Sequence, residues 1–350
     1  MSTLRTFTSY GRGAGSARVR VFDWLDYLSL DATSETYLGT SNNSGRTLAT
    51  HPWGVVQAEW RLRAATRNIA DATTLISRQA SPLSAGRLEA TLLSKAARGI
   101  YDFDDALGLS PAGGTASLSS KQRVWTNSVR AADIVIAGNA NLAEQALRLN
   151  DNVVIIPSCV DPAQYERKTT YEISRVPRAL WIGSPSTESY LKTISTSLLA
   201  LHASHGLRLT VISAGDASLG ALDIMIDRKD WSPHGFGDDI RQADFGVMPL
   251  VDNEWARGKC AYKLLQYGAA GLPMIGSPVG ANAEVLTHAG AGAPSTTDEW
   301  IAEMERMIDA SPDSRAAQGE LALHTVAEKY SFSAWAPTWA RTVGVAAPRE

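Results

Sequence analysis

Residues 255–280 read WARGKCAYKLLQYGAAGLPMIGSPVG, in the order loop, helix, strand. A helix starting near Gly258 places Lys259 and Lys263, four residues apart, on one face within its first two turns. The N-terminal end of a helix attracts anions, because unpaired backbone N–H groups and the positive pole of the macrodipole point outward there. Gly258 lets a ligand approach the backbone closely. Gly271 suits a C-terminal cap, Pro273 forbids continuation, and LPMIG resumes as a buried strand. The unit reads as a diphosphate cradle. The competing reading is a solvated face of a surface helix, the usual fate of paired lysines.

Working outward, strands alternate with helices on both sides of this unit. In the first half, LRTFTSY is a strand, followed by a turn with Gly11, Gly13 and Gly15 and a helix around VRVFDWLDYL. ATTLISR, the helix RLEATLLSKAA, GIYDFDDAL, the helix NSVRAA, DIVIAG, the helix NLAEQALRL and NVVIIPS follow. The second half repeats the plan with RALWIGS, the helix YLKTISTSLLALHA, LRLTVISAG, DDIRQA, ADFGVMPL, the lysine helix, PMIGS and two final helices. Such alternation implies parallel sheets covered on both faces, an α/β chain of two Rossmann-like domains facing a central cleft. The expected boundaries are 1–165 and 166–335, with a tail over 336–350 that can pack back on the first domain. The chain from Cys159 to Leu180 has no clear periodicity and reads as the linker.

Composition bounds the function. At 350 residues and 44% hydrophobic content, the chain is long enough for two ordinary cores. It has no uninterrupted apolar run of membrane-spanning length and no apolar core of signal-peptide length at its start, so a cytoplasmic location is expected. Two cysteines, Cys159 and Cys260, are too few for a disulfide framework or a thiolate metal site. Net charge is −3, which argues against general nucleic-acid affinity. The balance is uneven: residues 1–168 carry 18 Lys and Arg against 15 Asp and Glu, the rest 15 against 21. A mildly basic first half suits an acidic acceptor or an anionic surface; peripheral contact with a membrane is left open without support. No HExxH and no second ligand at suitable spacing accompanies any histidine, so no metal is expected, and the absence of GxSxG leaves hydrolase chemistry without a motif.

Ligands of such sheets bind outside the carboxyl ends of the strands, so the loops there are the candidates. The glycine turn after the first strand is one. Dinucleotide binding would also need an acidic ribose partner about 20 residues on; Asp31 and Glu35 lie there but do not end a clear strand. YDFDDA, residues 101–106, is sharper. Strand alternation puts Tyr101 and Phe103 on one face and Asp102 and Asp104 on the other, with Asp105 at the end. A protein usually keeps three carboxylates so close wet, or gives them a task.

Several of these segments resemble one family. YGAAGLPMIGSPVG is similar to the donor-binding segment of family 4 glycosyltransferases, retaining enzymes of the GT-B fold. YDFDDA resembles their YDxDDA, RAADIVIAGN their RADxVIxGN, and NVVIIPSCVD the VxVIPxxVD that closes their first domain. The motifs occur in the family's order and span about Ser9 to Trp339. The resemblance implies transfer of a sugar from a UDP- or GDP-sugar to an acceptor hydroxyl, with no cofactor beyond that donor. No protein nucleophile and no metal would be needed, because cations and helix N–H groups stabilise the departing diphosphate. Lys259 and Lys263 take that role.

Carried over residue by residue, Trp231 and Ser232 of WSPHG fall where the nucleobase is held, although Trp231 reads equally as core. The loop Asp252 to Arg257 should meet the donor sugar through Asp252 and Glu254, and Gln266 stands where a glutamate usually binds the ribose. Gly13, Gly183, Arg257 and Gly258 complete the donor side. Gly11, Arg12 and Arg78 face the acceptor, and Asp104 or Asp105 meets the reacting sugar or acceptor. The chain also departs from the pattern. Gly258 and Gln266 replace both members of the usual glutamate pair, and the loop WIGSPSTESYLK offers no cation before Lys192. The alternatives are therefore a nucleotide-sugar epimerase, a transferase joining cyclitol-like units without a true glycosidic bond, and a non-catalytic nucleotide-binding or scaffold member.

Overall fold

The computed structural model describes residues 3–40, 42–109, 121–173, 175–232 and 235–346. The chain divides into two compact units. The first comprises residues 1–158, the tripeptide Gly258–Cys260, and the chain from Trp335 onward; the second holds Cys159–Arg257 and Ala261–Ala334.

In the first unit, the described residues form a parallel sheet of order β2-β1-β3-β4-β5-β6. Its strands are β1 (Leu4–Thr8), β2 (Ala32–Thr36), β3 (Thr73–Ser77), β4 (Arg98–Phe103), β5 (Ile134–Ala137) and β6 (Val153–Ile155). The interior strands β3 and β5 are buried at every position, as expected for strands covered on both faces. Tyr101 and Phe103 share a face of β4 with their rings 5.8 Å apart, and Trp125 meets Phe103 edge-on at 5.9 Å. The helix Phe332–Val343 returns the chain to this unit, where Trp339 stacks on Trp24 at 5.2 Å and 9°. Such a pair adds about 0.5–1.5 kcal/mol beyond its buried area.

Strand β2 corrects the reading of Asp31 and Glu35. Glu35 lies within a strand and pairs with Arg5 of the neighbouring β1. The sequence ATSET hides it, because an edge strand with little burial needs no apolar alternation. The first helix is also irregular. Between its α-helical ends Gly15–Ala17 and Asp23–Tyr27 runs a π-helical stretch, Arg18–Phe22. Such wider turns often occur at functional sites, and this one carries the buried Arg20.

The second unit holds a parallel sheet, of order β11-β10-β7-β8-β9 among the described residues. Its strands are β7 (Arg178–Ile182), β8 (Arg208–Ile212), β9 (Ile226–Lys229), β10 (Phe245–Met248) and β11 (Met274–Gly276). Alternation along β7 sends Leu180 and Ile182 into one core and Ala179 and Trp181 into the other. The single helix expected over YLKTISTSLLALHA is two pieces, a 3-10 segment Pro185–Ile194 and an α-helix Ser195–His205. Strand β9 (IDRK) escapes a hydrophobic reading for the same reason as β2: it is an edge strand, and none of its residues is fully buried.

Candidate functional site

The carboxyl ends of β3, β4 and β5 converge on a charge cluster within the first unit. Arg78 follows β3 in the left-handed region, φ 63°, a conformation that costs a non-glycine residue free energy. It is held there by its N–H donating to Asp102 O at 2.8 Å and its carbonyl accepting from the Tyr101 hydroxyl at 2.8 Å. Its guanidinium donates to Asp105 Oδ2 at 3.0 Å and lies 3.7 Å from Asp104 Oδ1. Burial opposes the Arg78 charge, but Asp104 and Asp105 outweigh it and raise its pKa. Lys259 Nζ donates to the other oxygen of Asp105 at 2.9 Å. Asp104 Oδ1 is buried and, beyond the ion pair with Arg78, has no hydrogen-bond partner, so a donor group placed there would satisfy it.

Beneath lies a fully buried ion pair. Arg20 donates to Asp102 at 2.5–3.2 Å, and Ser77 Oγ donates to the same carboxylate at 3.0 Å. Burial pushes the Asp102 carboxyl up against the pull of Arg20, while the Arg20 guanidinium is held protonated by Asp102 despite its own desolvation. Of the two readings of the three carboxylates, wet or given a task, Asp102 is not wet: it is buried and paired with Arg20. Its partner sits 82 residues away in sequence, which no local reading supplies.

The Gly258–Cys260 tripeptide lies tightly against the strand ends of this same unit. A side chain at Gly258 would come within 2.7 Å of the Ala106 side chain, and one at Gly138 within 2.5 Å of the Cys260 sulfur. Cys260 Sγ donates to Asp104 O at 3.3 Å, and Asn139 Nδ2 to Lys259 O at 3.0 Å. Burial, then Asp104, pushes the Cys260 thiol well up, so its thiolate is disfavoured. Next to the cluster, Ser9, Tyr10, Arg78, Gln79 and Lys121 line a cavity of about 20 Å³, room for about one water. Burial and then Arg78 lower the pKa of Lys121.

The lysine helix differs from its expected form. It spans Tyr262–Ala269, and Ala261, at φ 53°, separates it from Lys259. A left-handed residue cannot continue a right-handed helix, so Lys259 lies outside the helix and the two lysines do not share a helical face. Lys263 stands in the first helical turn of the second unit, its Nζ 5.1 Å from the Trp181 ring centroid. Gly183, just past β7, makes room for this pair. A Cβ there would come within 2.3 Å of the Trp181 ring and 2.8 Å of Lys263 Cε. Ala261 offers no capping oxygen, so the helix start retains its preference for an anion. Gln266, one turn on, is buried.

Other candidates lie apart from these groups. Arg257 grips Asp252 with two hydrogen bonds at 2.7 and 3.1 Å, holding that carboxyl below its ordinary range, and both side chains are exposed. Glu254 is exposed at the start of the short helix Glu254–Arg257. Trp231 is partly buried against the core of the second unit, Ser232 is exposed, and Pro233 and His234 lie outside the described residues. Gly11 N donates to Thr40 O, Gly13 is exposed, and Arg12 turns to Asp26 at 2.6 Å and over the Phe22 ring at 4.7 Å. Sequence reasoning did not identify Arg20, Ser77, Lys121, Asn139 or Trp181. Only Trp181 carried a local signal, as an aromatic two residues before a strand-ending glycine. Among the described residues, no three of His, Cys, Asp and Glu converge as a metal site, and no helix is long and apolar enough to cross a membrane.

Solved structures share this architecture. HepE of Anabaena, crystallised with UDP and glucose, superposes with a TM-score of 0.68 over 98% of this chain and 99% of that one, at 13% identity. The trehalose-6-phosphate synthase OtsA gives 0.68 over 100% of both chains at 13% identity. WaaG, a glycosyltransferase involved in lipopolysaccharide biosynthesis, gives 0.66 over 98% and 100% at 14% identity. No protein-family model and no curated protein matches the sequence. At these identities the likeness shows the fold, which is GT-B, and these structural neighbours are glycosyltransferases.

Proposed function

We propose that the chain is a retaining, metal-independent glycosyltransferase that moves a sugar from a UDP- or GDP-sugar to an acceptor hydroxyl. The observation that carries the reading is Lys263, set in the first turn of an uncapped helix beside Trp181 and Gly183, in a fold whose structural neighbours include one crystallised with UDP and glucose. The acceptor oxygen bonds to the anomeric carbon on the leaving-group face, the bond from that carbon to the phosphate oxygen breaks, and the departing phosphate oxygen takes the acceptor's proton. Charge builds on the diphosphate, where Lys263 and the first-turn N–H groups stabilise it.

Trp231 and Ser232 are assigned to the base, Gln266 to the ribose and Glu254 to the donor sugar, with Gly183 letting Trp181 and Lys263 pack beside the diphosphate position. Asp252 and Arg257 act as one unit: their ion pair fixes the loop that presents Glu254. On the acceptor side, Arg78 and Lys259 hold Asp104 and Asp105, and Asp104 Oδ1, ion-paired with Arg78 but without a hydrogen bond, accepts from an acceptor hydroxyl.

A thermal-shift titration with UDP, GDP, ADP and their sugars tests the donor assignment. Stabilisation by one diphosphate, lost in Lys263→Ala, is the expected outcome; equal stabilisation of wild type and variant removes this lysine from the site. A second reading, a non-catalytic nucleotide-binding member, is favoured by Gly258 and Gln266 standing where the family's glutamate pair is usual. Nucleotide binding without donor turnover under any acceptor supports it.

A further inference from the structure

The helix Pro52–Ala65 in the first unit buries Ala58, Leu62 and Ala65 and leaves a second apolar face in solvent. On that face Trp53 is 78% exposed, Trp60 70% and Val56 58%. At about 100° per residue, Trp53, Val56, Gln57 and Trp60 fall within an arc of about 100°. Arg61 borders that arc on one side and Arg63 on the other. Exposed single apolar residues are ordinary, but two nearly bare tryptophans on one helical stripe are not.

Charge says what the stripe meets. Between Glu35 and Asp71 the sequence holds four arginines, Arg46, Arg61, Arg63 and Arg67, and one acid, Glu59. All four arginines are exposed. Glu59 is turned inward, accepting from the Tyr37 hydroxyl at 3.0 Å and from Ser81, with Arg63 at 3.3 Å on its outer oxygen. The face therefore presents indole rings between guanidinium groups, with its one carboxylate spent on the fold.

We infer that this helix docks the protein on an anionic lipid bilayer, Trp53, Val56 and Trp60 entering the headgroup boundary and the flanking arginines meeting lipid phosphates. Indole prefers that boundary over both water and hydrocarbon, and arginine stems lie along apolar surface while their heads stay with the phosphates. A second copy of the chain fits less well. The three side chains present on the order of 400 Å², against about 800 Å² per partner in a stable complex, and two copies would bring like-charged arginine margins together.

The test uses the full chain and does not depend on the glycosyl-transfer reading. Flotation with phosphatidylcholine vesicles, with and without phosphatidylglycerol, should show binding that needs the anionic lipid. Trp53→Ala/Trp60→Ala should weaken partitioning about tenfold or more, and Arg61→Gln/Arg63→Gln should abolish the preference for phosphatidylglycerol. Thermal unfolding separates lost docking from lost folding: it should be unchanged in the tryptophan variant, and only slightly lowered in the arginine variant, since Arg61 also donates to Thr36 O and Tyr37 O and Arg63 pairs with Glu59. The proposal is overturned if wild type ignores anionic vesicles or if the tryptophan variant binds them equally. A wild-type dimer that this variant makes monomeric, with no vesicle binding, gives the face to a second copy and equally overturns it.

Discussion

The charge cluster of the first unit and the lysine helix of the second hold their cations in opposite ways. Around Asp102, Asp104 and Asp105 the cations come from remote sequence: Arg20 lies 82 residues from Asp102, and Lys259 lies 154 from Asp105. The carboxylates there are answered mainly within the protein. In the second unit Lys263 lies 5.1 Å from the centroid of the Trp181 ring and stands in the first turn of a helix, so the contact seen there is with an aromatic face. The first arrangement answers charge with charge, whereas the second sets a cation against a ring at the start of a helix.

Breaking the buried pair should have the largest effect. Asp102→Ala leaves Arg20 charged and uncompensated in the core, with an expected loss of about 3–5 kcal/mol in urea unfolding. A loss under 1 kcal/mol would mean that water reaches Arg20. Lys263→Ala is expected to do the reverse, lowering turnover by a factor of about 100 or more while costing about 1 kcal/mol of stability through the lost contact with Trp181. A variant that unfolds early but turns over normally would erase the contrast.

Lys259→Ala sharpens it from the other side. Because Arg78 still holds Asp105, a stability loss of about 1 kcal/mol is expected, with donor stabilisation in thermal shift retained; loss of donor binding would return Lys259 to the diphosphate. The smallest effect is a pH dependence in the second unit. Hydrogen bonds from Arg208, then Arg178, hold the Asp227 carboxyl below its ordinary range. Its contribution is present above the unfolded value of about 3.9 and is lost as pH falls through the lower folded value. Asp227→Asn should therefore flatten the acid limb of stability below about pH 4, and an unchanged limb would locate acid sensitivity elsewhere.

Strand–helix alternation, glycine and proline punctuation and the YDFDDA alternation were readable because each is local: periodicity and turn chemistry act over a few residues. The edge strands β2 and β9 were not, since strands with little burial leave no apolar alternation. The start of the lysine helix was misplaced because nothing in KCAYK announces a left-handed alanine, which the tight seating of Gly258–Cys260 against Ala106 and Gly138 accompanies. The sequence by itself determined the α/β class, the strand order of events along the chain and the two lysines as candidates. The tertiary structure alone decided which carboxylate each cation meets, placing Lys259 on Asp105, Lys263 over Trp181 and Arg20 beneath Asp102. Charge pairing is set by distance in space, and parallel sheets bring together strand ends that lie tens of residues apart in the chain.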